Sequence, residues 1–231
     1  MVKTFFYPDQ NVLSQNAAKK FFEDLKVLAN SEDQIFVALS GGRSLLGFYW
    51  WVAQTSDVLP RTIWQKVRFC FADERVVPFE DKDSNYGQLK KPLFDRLLQK
   101  KCISHNQILL PDFEKKELTQ NYSSLIPRIH ICLLGSGEDG HIASLFPNHN
   151  SCCDKTLGYI EVVDSPKPPP RRISVSGKMI KEALNSYIFF VGKTKSEAFK
   201  NFLDENIEVI QSPNKLARFS QRCLVFTDIK V

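Results

Sequence analysis

The sequence predicts an α/β fold, a Rossmann-like, mostly parallel sheet with helices on both faces, built as a single domain over residues 1–231. Two observations carry this. Short continuous apolar runs recur along the chain, the signature of strands buried on both faces. Helix-length stretches separate most of them, and right-handed crossovers between parallel strands then distribute the helices over both faces of the sheet.

The first helix spans residues 14–28: Ala17, Ala18, Phe21, Phe22, Leu25 and Leu28 fall on one face, with Lys19, Lys20, Glu23 and Asp24 elsewhere. A strand follows at 35–39, then a helix at 44–54, a strand at 67–72 and a helix at 84–99. Residues 108–110 are a weaker strand candidate before a helix at 114–125. Apolar runs at 129–134 and 159–163 read as further strands of the same sheet, and 172–175 as another strand-like segment. A helix at 178–184, a strand at 187–191, a helix at 194–203 and a strand at 223–227 complete the alternation. The cluster Pro166-Lys-Pro-Pro-Pro170 reads as a rigid loop, and Trp50 and Trp51 as core packing.

Composition narrows the function classes. With 43% hydrophobic and 25% charged residues, and 18 Phe, the chain can bury a large core without staples. The formal charge of +5 is mild, and its Lys and Arg are interspersed with acids rather than gathered on one element. That pattern argues against nucleic acid and for a small anionic ligand. None of the six Cys forms a C-x-x-C pair, so reduced thiols in a cytoplasmic protein are expected, with no metal site. The first ten residues lack the pattern of a signal peptide, and no apolar run reaches the roughly 20 residues that span a bilayer.

In a parallel sheet, ligands bind beyond the carboxyl ends of the strands, so the segment after each strand is informative. After 35–39 comes Ser40-Gly41-Gly42-Arg43-Ser44, whose glycines allow close backbone approach ahead of a helix N-terminus that suits an anion. After 67–72 comes Asp73-Glu74-Arg75, with Ser84-Asn85 as a helix start downstream. After 129–134 comes Gly135-Ser-Gly-Glu-Asp-Gly-His-Ile-Ala-Ser-Leu-Phe-Pro147, which places Asp139 two residues before His141, a side chain matched to general-base work near neutral pH. The spacing Gly135-x-Gly137-x-x-Gly140 also matches a dinucleotide fingerprint, but Pro147 leaves no room for the long helix which that motif requires. Lys167, Arg171 and Arg172, and the segment Gly192-Lys-Thr-Lys195, add cations that form a phosphate site if they converge.

Taken in order, these segments resemble the 6-phosphogluconolactonases, relatives of the glucosamine-6-phosphate deaminases, from about residue 5 to 228. The most specific stretch is Asp139-Gly-His-Ile-Ala-Ser-Leu-Phe-Pro147. The resemblance implies hydrolysis of 6-phospho-D-glucono-1,5-lactone without metal or organic cofactor, by a monomer or small homo-oligomer. It implies His141 as general base beside Asp139, and Gly41, Gly42, Arg43, Asp73, Arg75, Arg172 and Lys195 as the substrate- and phosphate-binding set. Two departures are visible. Ser44-Leu45 stands where the family often has Thr-Pro, with the Ser44 hydroxyl expected to cap the helix, and the C-terminal pattern is only loosely met around Asp228. The deaminases carry a Glu after the histidine where this chain has Ser144-Leu145-Phe146-Pro147, and Tyr where it has Arg75. A non-catalytic sugar-phosphate sensor is the remaining alternative.

Overall fold

A computed structural model describes residues 1–153 and 155–230. The chain runs β1 (Val2–Phe6), α1 (Gln10–Leu28), β2 (Ile35–Leu39), α2 (Arg43–Gln54), α3 (Arg61–Trp64), β3 (Val67–Phe71) and β4 (Asp73–Arg75). It continues through α4 (Asn85–Leu89), α5 (Asp95–Gln99), α6 (Leu118–Ser124), β5 (Ile131–Gly135), β6 (Tyr159–Val162) and β7 (Arg172–Val175). It closes with α7 (Gly177–Lys181), β8 (Asn185–Phe190), α8 (Ser196–Leu203) and β9 (Arg222–Thr227).

Six strands form one parallel sheet in the order β1-β9-β8-β5-β2-β3. Their alternating side chains divide the core in two. Ile35, Val37, Leu39, Phe69, Phe71, Phe189 and Phe226 face one layer with α1, α2 and α5. Phe36, Ala38, Cys70, Cys132, Ile188, Phe190 and Val225 face the other, against α6, α7 and α8. Helices therefore cover both faces, as the apolar runs require.

The predicted 84–99 helix is one rod whose middle turn, Lys90–Phe94, widens to a π-helix. Pro92 sits in that turn, and a residue without an N–H favours such a local rearrangement. Ser84 caps the rod by accepting from Gly87 N. In α2 the cap is Gly42, not Ser44: the helix starts one residue earlier than expected, which carries the Ser44 hydroxyl past the capping position.

Two differences from the sequence reading matter for function. Tyr159–Val162 and Arg172–Val175 do not enter the parallel sheet; they form a separate antiparallel sheet in the order β4-β7-β6. A short apolar run reports burial and not pairing direction, so periodicity alone could not distinguish the two. Ala72 is the hinge between the sheets, donating its N–H to Leu39 O at 2.7 Å and accepting from Val175 N at 2.7 Å. The segment Asp73–Arg75 that follows β3 is thus itself a strand. The edge strand β1 went unread because Val2, Lys3 and Thr4 are exposed, so it lacks a buried apolar run. Residues 108–110 contribute a single bridge, Phe69 to Ile108. Trp50 remains 39% exposed, so it is not core.

Candidate functional site

The chain passes from β2 to β3 on one side and from β5 to β8 on the other, so the strand order reverses between β2 and β5. The crevice at such a reversal is where open parallel sheets bind ligands. Here it is a cleft of about 480 Å³ beyond the carboxyl ends of β2, β5 and β8.

His141 stands on the loop after β5, folded back on itself by Gly137 N–H donating to His141 O at 2.8 Å. Its Nδ1 lies 2.5 Å from Asp139 Oδ1, and its backbone N–H donates to the same oxygen at 3.2 Å. A carboxylate accepts, so Nδ1 carries the proton and the Nε2 lone pair is left unbound among the described residues. The ring packs against Phe146 at 5.0 Å between centroids. Gly137 makes this packing possible, because a Cβ there would sit 1.9 Å from His141 Nδ1 and 2.5 Å from Asp139 Oδ1. Lys167 reaches in from the proline loop, with Nζ 2.9 Å from Asp139 Oδ2 and 3.2 Å from His141 Nδ1. Partial burial opposes the Asp139 charge, but the hydrogen bond and charge of His141, together with Lys167, hold its carboxyl well below the usual carboxylate range.

The opposite wall is the Gly41-Gly42-Arg43 turn. Gly42 has φ +96, a left-handed conformation that favours glycine. The 12-residue helix α2 begins directly after it without a side-chain cap; Leu45 N–H donates to Gly42 O at 3.2 Å, which leaves the N–H groups of Arg43 and Ser44 for an anion in the cleft. Arg43, Arg75 and Lys195 line the same cleft. Lys195 lies 3.8 Å from Glu138; burial pulls its ammonium below the ordinary value, which Glu138 resists and Lys167 reinforces.

The floor is held by buried polar contacts. Asp73 accepts from Ser144 Oγ at 2.8 Å and from Asn85 Nδ2 at 3.1 Å. Glu74 is fully buried beneath it, accepting from the backbone N–H groups of Arg75, Asn85 and Tyr86, each at 2.7 Å. Arg172 lines the cleft, but its donors are largely used. Nε binds Pro169 O at 3.0 Å, Nη2 binds the carbonyls of Lys167 and Pro168 at 2.8 and 3.1 Å, and Nη1 sits 3.8 Å from Asp73.

All nine predicted site residues gather here: Gly41, Gly42, Arg43, Asp73, Arg75, His141, Arg172 and Lys195 line the cleft, and Asp139 lies behind His141. Three residues with work in the site were not assigned by the sequence. Lys167 was visible only as one of several cations that form a phosphate site if they converge, Asn85 only as a helix start, and Ser144 only as a letter of the motif. Asp228, given no role from sequence, accepts from Gly192 N at 2.8 Å and shapes the turn that carries Lys195. No helix among the described residues is long and apolar enough to cross a membrane.

The chain is similar to known proteins over nearly its whole length. The family described as glucosamine-6-phosphate isomerases/6-phosphogluconolactonase matches residues 8–226. The 6-phosphogluconolactonase of Borreliella burgdorferi is 29% identical over 98% of this chain and 96% of its own. The 6-phosphogluconolactonase 4 of Saccharomyces cerevisiae is 30% identical over 88% and 86%. Among solved structures, a Thermotoga maritima 6-phosphogluconolactonase superposes with a TM-score of 0.83 at 22% identity, covering 98% of this chain and 99% of that one. At that identity the superposition speaks for the fold.

Proposed function

The chain belongs to the glucosamine-6-phosphate isomerase/6-phosphogluconolactonase family, and we propose that it hydrolyses 6-phospho-D-glucono-1,5-lactone to 6-phospho-D-gluconate. The observation that carries this reading is the His141–Asp139 pair, with Nε2 unbound among the described residues, at the edge of a cleft walled by Arg43, Arg75, Lys195 and the start of α2.

In this reading His141 Nε2 takes a proton from water as the water oxygen attacks the lactone carbonyl. The carbonyl electron pair moves onto its oxygen, and that oxyanion is met by Arg75 or by the Gly41 N–H, since Gly42 N–H donates to Gln88 Oε1 at 3.3 Å. The pair then returns to reform the carbonyl, the bond to the ring oxygen breaks, and Nε2 gives its proton to that oxygen. Asp139 keeps the ring in the productive tautomer and balances the transient imidazolium. The first turn of α2, with Arg43 and Lys195, holds the phosphate. Arg172 acts mainly through the loop it braces. An activated ester needs neither a covalent nucleophile nor a cofactor, and the substrate is a small sugar phosphate rather than a nucleic acid. We place the enzyme in the cytoplasm as a monomer or small homo-oligomer.

The test couples the purified protein to a glucose-6-phosphate dehydrogenase that makes the lactone in place, and follows 6-phosphogluconate release against the spontaneous rate. His141→Ala is expected to lower kcat by roughly 10²–10⁴-fold, equivalent to about 3–5 kcal/mol of barrier. A folded wild-type protein no faster than buffer would overturn the hydrolase reading; ammonia release from glucosamine 6-phosphate would replace it with the deaminase.

A further inference from the structure

We propose that Lys167 is a positioning residue of the catalytic pair, which locks Asp139 between two donors and sets a fixed cation against the charged form of His141. The proposal rests on the hydrolase reading for its kinetic consequences and on geometry for its structural ones.

The two oxygens of Asp139 are divided between two partners. Oδ1 receives His141 Nδ1–H, and Oδ2 receives the Lys167 ammonium at 2.9 Å. Asp139 is 38% exposed, so without a second anchor its carboxylate could turn about its side-chain torsions and carry the imidazole with it. Lys167 supplies that anchor. The 3.2 Å approach of Nζ to His141 Nδ1 is no hydrogen bond once Nδ1 bears its proton, since both groups are then donors. It is a contact between an ammonium and a ring that becomes cationic in mid-reaction, and like charges at that distance oppose the cation.

Lys167 is also held from behind. Its carbonyl accepts from Arg172 Nη2 at 2.8 Å and from Ser165 Oγ at 2.8 Å, and its N–H donates to Ser165 Oγ at 3.2 Å. Arg172 ties down the next two carbonyls of the loop as well. This bracing explains why a nearly buried arginine spends its donors on a proline-rich loop: the loop delivers one lysine to one carboxylate. The Lys167 ammonium is spent on Asp139 beside the cleft, and it is not among the residues that form the cleft wall.

The consequence is a division of labour across the proton cycle. Asp139 favours taking the proton from water, and Lys167 disfavours keeping it, so Nε2 releases it to the departing ring oxygen. The other charges around the pair are Glu138 on the same loop, Lys195 after β8, Arg43, Asp73 and Arg75 across the cleft, and Arg172 beyond the Phe146 ring. None of them has a hydrogen bond or ion pair with Asp139 or His141 among the described residues.

The experiment compares wild type, Lys167→Met and Lys167→Arg by lactone turnover across pH and by ¹⁵N NMR of the His141 ring. For Lys167→Met we expect kcat lower by about 10-fold with KM changed less than 2-fold. The acid limb of its kcat/KM profile and the NMR titration of His141 should both move to higher pH, and Lys167→Arg should restore most of each. A raised KM with unchanged kcat would make Lys167 an anion binder instead. An unmoved His141 titration in Lys167→Met would overturn the proposal. The NMR needs no turnover, so a wild type that fails to hydrolyse the lactone would sink the hydrolase reading while leaving this test intact.

Discussion

Single residues in the loop after β5 decide whether the proposed base can take up its position. Gly137 is the plainest case, because the space its missing Cβ vacates is filled by the His141 ring and the Asp139 carboxylate. Gly137→Ala is expected to leave far-UV circular dichroism unchanged and to lower kcat at least about 10-fold, since small displacements of a catalytic group are costly. Retained wild-type kcat would show that the ring position does not matter. Asp139→Asn tests the partner. The carboxamide can still accept from Nδ1, but it cannot balance an imidazolium facing Lys167. We expect kcat to fall by roughly 10²–10⁴-fold with KM nearly constant, and steady-state kinetics on folded protein would check it. The motif was legible because glycines, an acid and a histidine sit close in sequence after a strand. Lys167 was not, because its partners are 26 and 28 residues away and proximity across loops leaves no local periodicity.

At the scale of elements, the small antiparallel sheet turns strand ends into a site. β4 brings Asp73 and Arg75 under the cleft and β7 brings Arg172 opposite Arg75, so the pairing register joins side chains about a hundred residues apart. Sequence alone singled out these residues as site candidates, with Arg172 a phosphate ligand by resemblance. What it could not show was that Arg172 is 3% exposed and engaged with three carbonyls, a fact of packing rather than of pattern. Arg172→Ala would leave the buried Asp73 carboxylate with Arg75, 4.0 Å away, as its remaining counter-charge and would release the proline loop, so a stability loss of about 3 kcal/mol in urea unfolding is expected. Arg172→Lys should recover little of it, because one ammonium cannot reproduce a planar fork reaching three acceptors. A variant as stable as wild type, with only a raised KM, would return Arg172 to the phosphate.

For the whole molecule, a double-sided core fixes the parallel sheet, and the strand-order reversal between β2 and β5 fixes the cleft. That level was the most legible, because burial on both faces writes itself into unbroken apolar runs such as 35–39 and 187–191. The pairing of short segments and the edge strand were least legible, since their sequence reports neither direction nor partner. The same burial gives the fold a pH signature. Burial pushes Glu74 up to about 7, against the pull of its three backbone donors and with Asp73 adding repulsion. Its unfolded-state value lies near 4.5. Between those two pH values the unfolded chain has released this proton and the folded chain retains it, so this contribution is lost as pH rises through that window. The difference amounts to about 3 kcal/mol. His130 acts in the opposite sense: burial lowers its pKa, so its neutral folded form costs stability as pH falls below about 6.5 and the unfolded histidine takes up a proton. Net stability alone would therefore hide both groups. Subtracting the stability of Glu74→Gln from that of wild type, measured by urea unfolding at a series of pH values, cancels His130. The difference should decline by about 3 kcal/mol between pH 4.5 and 7 and then level off; a flat difference would mean that Glu74 is ionised in the fold throughout that range.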